Sequence, residues 1–212
     1  KKGLLDLLLA VLVALNYLTY NPATVEFMLF NATITMPTVV FAILVVILVW
    51  ASINVTNCAD GVDGLSGTLT IITLLTIYGV FKIKDNLGSV SYLILLFCVC
   101  ILGYLWFNAN PSRMLMGDAG SRAMGIFIAI AILKTGSPVL YLLVAAVLIL
   151  DGGLGLIKVA LLRFLKIKIL KNTRTPLHDH TRKNLGWSGS QTVVRFAIIQ
   201  IMISVATLYL IA

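Results

Sequence analysis

Apolar residues in this chain fall in long unbroken runs separated by short polar connections. Seven runs stand out, roughly Leu4–Tyr20, Thr38–Ile53, Leu65–Phe81, Val90–Phe107, Ala123–Leu133, Pro138–Leu162 and Val193–Ala212. A helix of about 20 apolar residues crosses the hydrocarbon core of a bilayer. Continuous runs argue for such helices, because a membrane barrel would show strict alternation instead. The pattern predicts an all-α fold: a polytopic membrane helix bundle of about seven transmembrane helices, in a single transmembrane domain over residues 1–212. The fifth run is short, and its flanking Arg122 and Lys134 would have to snorkel to the interface. The sixth is interrupted by Asp151-Gly152-Gly153 and Gly155 and then carries Lys158, which predicts a bend at that point.

Composition agrees with this pattern. The chain is 60% hydrophobic and 11% charged, with a mean hydropathy of +1.04, the balance of an integral membrane protein. Cys58, Cys98 and Cys100 provide no disulfide framework, and two of them lie inside an apolar run. A net charge of +8 would suit nucleic acid in a soluble protein, but in a membrane chain the distribution of charge matters more than its sum.

Each span reverses the side of the membrane. Residues 1–3, 54–64, 108–122 and 163–192 share one face; residues 21–37, 82–89, 134–137 and the C-terminus share the other. The first face carries Lys1, Lys2, Arg113, Arg122, Arg163, Lys166, Lys168, Lys171, Arg174, Arg182 and Lys183, and the second only Lys82, Lys84 and Lys134. This excess predicts that the first face is cytoplasmic. Every chemically distinctive loop lies on it.

Three polar clusters interrupt the apolar pattern. The first is Asn54-Val-Thr-Asn57-Cys-Ala-Asp60-Gly61-Val62-Asp63-Gly64-Leu-Ser-Gly67. Its two carboxylates and amide oxygens suit a hard divalent cation, or the hydroxyl and imide groups of a ribonucleotide; ionisable groups so near a membrane core are functional candidates. The second cluster runs from Trp106 and Asn108 through Leu115, Met116, Gly117 and Asp118 to Ser121. Ser121 reads as an N-cap, which places Asp118 just ahead of a helix N-terminus. Such a terminus attracts phosphate, and a carboxylate there can hold magnesium bridging phosphate oxygens; it could equally just favour the helix dipole. The third cluster is Arg174-Thr-Pro176-Leu-His178-Asp179-His180-Thr-Arg182-Lys183, closing with Gly186-Trp187. Two imidazoles are too few for a zinc site. Among several cations they suit a loop that contacts phosphate or manages protons, while Lys166, Lys168 and Lys171 suit anionic lipid headgroups.

Taken together, these pieces resemble the phospho-N-acetylmuramoyl-pentapeptide transferases, of the polyprenyl-phosphate N-acetylhexosamine-1-phosphate transferase superfamily. The resemblance rests on Asn54…Asn57-Cys-Ala-Asp60-Gly-Val-Asp63-Gly-Leu, Trp106-Phe-Asn108, Met116-Gly-Asp118-Ala-Gly-Ser121 and Pro176-Leu-His178-Asp179-His180. Gly186-Trp187 and Val193-Val-Arg195-Phe196 point to its muramoyl branch. It implies transfer of phospho-MurNAc-pentapeptide from UDP-MurNAc-pentapeptide to undecaprenyl phosphate, with Mg2+, giving lipid I and UMP in peptidoglycan synthesis. The site would lie on the cytoplasmic face of the bacterial inner membrane. By resemblance Asp118 is the magnesium ligand, and Asp60 and Asn57 are essential polar groups near the phosphates. Gly61, Val62, Asp63 and Asn108 line a uridine pocket, which Asn54 adjoins. His178 and His180 face the diphosphate.

The chain departs from the family pattern at three places. The family's adjacent aspartate pair has no counterpart here and would lie upstream of Lys1. The seven helices are accordingly expected to be numbers four to ten of a ten-helix fold, in a chain that opens without methionine and lacks the N-terminal helices. Asp179 replaces the middle member of three consecutive histidines, and Leu115 stands where an aromatic usually stacks on uracil. Gly- and Ala-rich helix surfaces would allow a homodimer. Two other readings fit the same polarity: a sister transferase using UDP-N-acetylglucosamine, and an ion-coupled transporter with a midplane site at Asp151.

Overall fold

The computed structural model describes residues 2–212; Lys1, counted above with the basic face, lies outside them. Among the described residues ten α-helices in chain order carry the fold: α1 (Lys2–Tyr20), α2 (Thr38–Ala59), α3 (Leu65–Ile83), α4 (Ser89–Asn108), α5 (Gly117–Lys134), α6 (Tyr141–Val144), α7 (Ala146–Leu148), α8 (Leu154–Ala160), α9 (Leu177–Lys183) and α10 (Gly189–Ile211). Among the described residues α1, α2, α3, α4 and α10 are each long and apolar enough to cross a membrane, and a bent segment from Pro138 to Leu165 makes a sixth span. With α5, whose ends carry Asp118, Arg122 and Lys134, every predicted run is helical.

The core lies along α2. Phe41, Val45, Val49 and Ile53 recur on one side of it and are buried against Ala10 and Ala14 of α1 and Ala129 and Leu133 of α5. On its other side Val55 and Ala59 join Leu65, Leu69, Ile77, Met124, Ile128 and Leu148 in a second cluster. Small residues set the approach of the helices. A Cβ on Gly125 of α5 would fall 2.6 Å from the backbone oxygen of Ser52, and the Ser52 hydroxyl donates to Gly125 O at 2.7 Å.

The sixth span bends, but not where the glycines predicted. Its two arms, Pro138–Val144 and Ala146–Leu165, meet at 74°, so the bend falls at Ala145 rather than at Asp151-Gly-Gly. Breaking a helix inside a membrane strands backbone groups that no water can satisfy. Gln200 of α10 meets them: its side-chain oxygen accepts from Val147 N at 2.8 Å and its amide donates to Val144 O at 3.0 Å. Asp151-Gly152-Gly153 instead lies in a stretch of wider, π-type winding, Ile149–Gly153. A Cβ on Gly152 would collide with the Val55 carbonyl, so the glycine lets this segment lie directly on α2.

Two further expectations change. Helix α5 begins at Gly117, so Ser121 is inside it with its hydroxyl on Gly117 O at 3.1 Å, and does not cap it. Starting the helix earlier puts Asp118 in the first turn, where unpaired N–H groups and the helix dipole favour a carboxylate. Arg122 does not snorkel; it turns inward to an ion pair with the buried Asp6 of α1.

A short antiparallel hairpin, Thr24–Phe27 with Ala32–Thr35, was not foreseen in the connection after α1. It sits at the opposite end of the bundle from the polar clusters. Glu26 N donates to Gly136 O at 2.9 Å, and Lys84 bridges the Glu26 carboxylate and Thr135 O. Residues 21–37, 82–89 and 134–137 thus meet at one end, as the alternation of spans requires.

Candidate functional site

At the other end, the termini of α2, α4 and α5 enclose a cleft of about 310 Å³. Asn57, Asp60, Gly61, Val62, Asp63, Asn108, Leu115, Met116, Gly117 and Asp118 line it. The first two polar clusters of the sequence therefore form one surface. A separate apolar pocket around Phe41, Leu44 and Val139 lies toward the hairpin end and offers no reactive group.

The α2–α3 turn shapes one wall. Helix α2 stops at Ala59, Gly64 takes a φ of 82° that favours glycine, and α3 starts at Leu65. The turn is pinned from α4: Asn108, buried at the end of that helix, accepts from Gly64 N at 2.8 Å and donates to Met114 O at 2.7 Å. Ser112 N approaches the Asp63 carboxylate at 3.4 Å. Asn108 thus ties the two cleft-forming loops together, and Leu115 stands at the rim, 80% exposed.

Asp60, at the end of α2, and Asp118, at the start of α5, both line the cleft but in different electrostatic states. Burial pushes the Asp60 carboxyl above its ordinary value of 3.8; the Ser66 hydroxyl, 2.5 Å from Oδ1, and His178 oppose this, while the charge of Asp118 adds to it. Asp118 goes the other way. Hydrogen bonds from Lys2 and Asn57 hold its carboxyl below 3.8. Two neighbouring carboxylates driven apart in this way are suited to different tasks: Asp118 stays ionised and accessible, and Asp60 takes up a proton more readily.

The amides point away from metal ligation. Asn57 turns its nitrogen to Ser121 Oγ at 2.9 Å and Asp118 Oδ1 at 3.4 Å, and its oxygen to Arg122. The Asn108 oxygen is occupied by Gly64 N, and Asn54 bonds back to Trp50 O at 2.8 Å. Among the described residues no three His, Cys, Asp or Glu side chains gather into a metal site. Magnesium does not require one, since it commonly takes one or two carboxylates and completes its shell with water and substrate phosphate. An ionised, half-exposed Asp118 on a polar cleft fits that demand.

His178 reaches the same place from α9. It is buried, and its ring stands over Gly61 so closely that a Cβ there would run into Nε2. Its position is set by Asp151, which is fully buried in the wound segment before α8. Asp151 Oδ1 accepts from His178 N at 2.7 Å, and Oδ2 lies 2.8 Å from Nδ1. With Nδ1 directed at a carboxylate, Nε2 is the nitrogen aimed at the Gly61 turn. Asp151 is the positioning residue that the sequence concealed. It read as a helix interruption or as the midplane ion site of a transporter, although a carboxylate in an apolar run is also a signal of a partner.

Not every expected residue joins the cleft. Asn54 lies a turn before Asn57 and does not line it. His180, two residues past His178, points elsewhere because helix positions two apart do not share a face; its Nδ1 lies 3.4 Å from Arg174 N. Asp179 pairs with Lys183 at 2.9 Å, and that hydrogen bond holds its carboxyl below 3.8. Lys158 folds the basic connection back on itself, donating to Leu170 O and Thr173 O at 3.0 and 2.8 Å. Lys166, Lys168 and Lys171 remain exposed.

Comparison with known proteins gives concordant matches. The sequence profile described as glycosyl transferase family 4 matches residues 1–136. A phospho-N-acetylmuramoyl-pentapeptide-transferase of Treponema pallidum (strain Nichols) is 40% identical over 226 residues, covering 98% of this chain and 62% of the relative. Proteins of the same name from Borrelia garinii subsp. bavariensis and a Wolbachia of Brugia malayi are 38% and 31% identical over 50% and 58% of this chain, and 29% and 41% of their own lengths. The chain thus spans about three-fifths of the length of the Treponema relative.

Proposed function

Since this chain belongs to glycosyl transferase family 4, we propose that it carries the cleft of a phospho-sugar transferase of peptidoglycan synthesis. The donor is UDP-MurNAc-pentapeptide, the acceptor undecaprenyl phosphate, and the products lipid I and UMP. One observation carries this reading: Asp60, Asp118 and His178, far apart in sequence, converge on a polar cleft at one end of an otherwise apolar bundle. By the excess of Lys and Arg at that end, it faces the cytoplasm.

In the reaction, an oxygen of the lipid phosphate attacks the sugar-linked phosphorus of the nucleotide, and the bond to UMP breaks. Catalysis of phosphoryl transfer is mostly positioning and neutralisation of charge. Asp118 would hold magnesium, which when bound would offset the charge of the two anionic phosphates and of the departing UMP. The chain's own groups do the rest. The Gly61–Asp63 turn and Asn108 form the nucleoside wall, with Leu115 offering an apolar edge to the base. His178, aimed through Nε2 by Asp151, presents a hydrogen-bonding nitrogen to the diphosphate. The exposed Arg174 and Arg182 of the third cluster attract the nucleotide sugar electrostatically, and Lys166, Lys168 and Lys171 suit anionic lipid headgroups. A lipid-borne acceptor explains why the cleft lies at a helix-bundle end. The transporter reading loses support at its candidate ion site, because Asp151 is fully buried and both its oxygens are engaged by His178.

The test is lipid I formation by the complete protein in magnesium, compared with Asp118→Ala. The expected outcome is turnover lower by about a hundredfold or more. Near-normal turnover by the variant would end the assignment of the metal to Asp118.

A further inference from the structure

Asp6 is the one acidic residue of α1, which is otherwise apolar from Gly3 to Leu15. Its side chain is 5% exposed, and in such surroundings a carboxylate persists only beside a cation. That cation is Arg122, one helical turn beyond Asp118 on α5. Arg122 Nη1 meets the Asp6 carboxylate, while Nη2 lies 3.4 Å from Asn57 Oδ1. The other end of the same amide donates to Ser121 Oγ at 2.9 Å and faces Asp118 Oδ1 at 3.4 Å. An amide with a guanidinium at its oxygen and a hydroxyl and a carboxylate at its nitrogen has one satisfied orientation. Turned over, it would set N–H groups against Arg122 and its oxygen against a carboxylate.

We propose that Asp6 and Arg122 are positioning residues of the transferase site: Asp6 fixes the guanidinium, and the guanidinium fixes Asn57 so that its N–H groups, not its oxygen, face Asp118. The inference rests on the transferase reading for its catalytic consequence, though not for its geometry. It gives α1 a second part in the site, beside the direct contact of Lys2 with Asp118. Asn57 becomes a donor that holds Asp118 Oδ1, while Lys2 holds Oδ2. Lysine at position 122 could pair with Asp6 but has no second, rigidly placed donor for Asn57.

The experiment uses the complete protein with Asp6→Leu/Arg122→Leu, which removes both charges together and so strands neither; replacing a buried pair by apolar residues of similar volume commonly preserves folding. Thermal unfolding checks this, and Arg122→Lys repeats the test with the charge retained. Two quantities are read: kcat and KM for lipid I formation, and half-saturation by Mn2+, used as a paramagnetic substitute for magnesium. Both variants should bind Mn2+ about tenfold more weakly and lose about tenfold or more in kcat, as for other partners that orient a ligand, with KM for the nucleotide sugar changed much less. In an Asn57→Ala background the same substitutions should cost nothing further. Wild-type kcat and Mn2+ affinity in folded variants overturn the proposal, as does an undiminished loss in the Asn57→Ala background. If the wild-type protein makes no lipid I, the transferase reading fails, and the Mn2+ titration still decides the positioning claim.

Discussion

The residues that matter most here are charged or polar groups whose partners come from other helices. Asp151 is the clearest case, because a buried carboxylate that receives two donors from one histidine fixes both the backbone and the ring of that residue. Asp151→Asn keeps the shape but replaces one acceptor oxygen by a donor, so the ring loses its anchor. Lipid I formation should fall by about 10- to 100-fold, the usual consequence of removing an orienting partner, with little change in unfolding temperature; unchanged kcat would show that His178 needs no such anchor. Asp60 adds a pH dependence. Burial places its folded-state value above 3.8, so the neutral form is the one the fold favours. The stability from this group is complete below the unfolded value and is lost as pH rises through the folded one. Relative to Asp60→Asn, the wild type should therefore lose stability as pH is raised above about 4. Parallel melting curves across that range would remove the premise.

Among the elements, the broken sixth span depends on a residue outside itself. The bend at Ala145 frees Val147 N–H and Val144 C=O, and Gln200 satisfies both from α10. Gln200→Leu would leave both unpaired in an apolar setting, where each orphaned group costs about 1–3 kcal/mol. Denaturation in detergent should register a loss of that order, while nucleotide affinity stays close to wild type because the cleft lies elsewhere. A neutral substitution would mean that the bend is satisfied in some other way. The bend and the wound segment after it together carry Asp151 to the end of the bundle where α9 presents His178. An unbroken helix through 138–165 would follow one straight axis instead.

In the whole molecule, the cleft exists because α2 and α5 pack closely enough for Asn57 to reach Asp118. Gly125 sets that distance with no side chain between α5 and the Ser52 carbonyl. Gly125→Val would force the helices apart, an overpacking strain of about 1–3 kcal/mol, and would draw Asp118 away from Asn57 and Asp60. Lipid I formation and Mn2+ binding should both drop severely, although the substitution lies outside the cleft. Retained binding would show that Asp118 does not depend on this helix contact.

How much of this could be read beforehand follows from the range of the interactions concerned. Hydrophobic run length is a local property, and a bilayer allows it few outcomes, so the all-α class and the seven helical runs are legible from the chain. So are Asn57, Asp60, Asp63, Asn108 and Asp118, because polar residues between apolar runs are costly to keep. The bend at Ala145 rather than at the glycines, the start of α5 at Gly117 and the inward turn of Arg122 are not legible. Two of these are settled by a partner far away in the chain, Gln200 for the bend and Asp6 for Arg122, while α5 starts from a local backbone turn at Gly117 with a φ of 67°. The His178–Asp151 pair has the same character at shorter range. The sequence determines which groups need a partner. Only the packed structure decides which partner they receive, because a buried charge or a stranded amide takes whatever complementary group the neighbouring helix brings within about 3 Å.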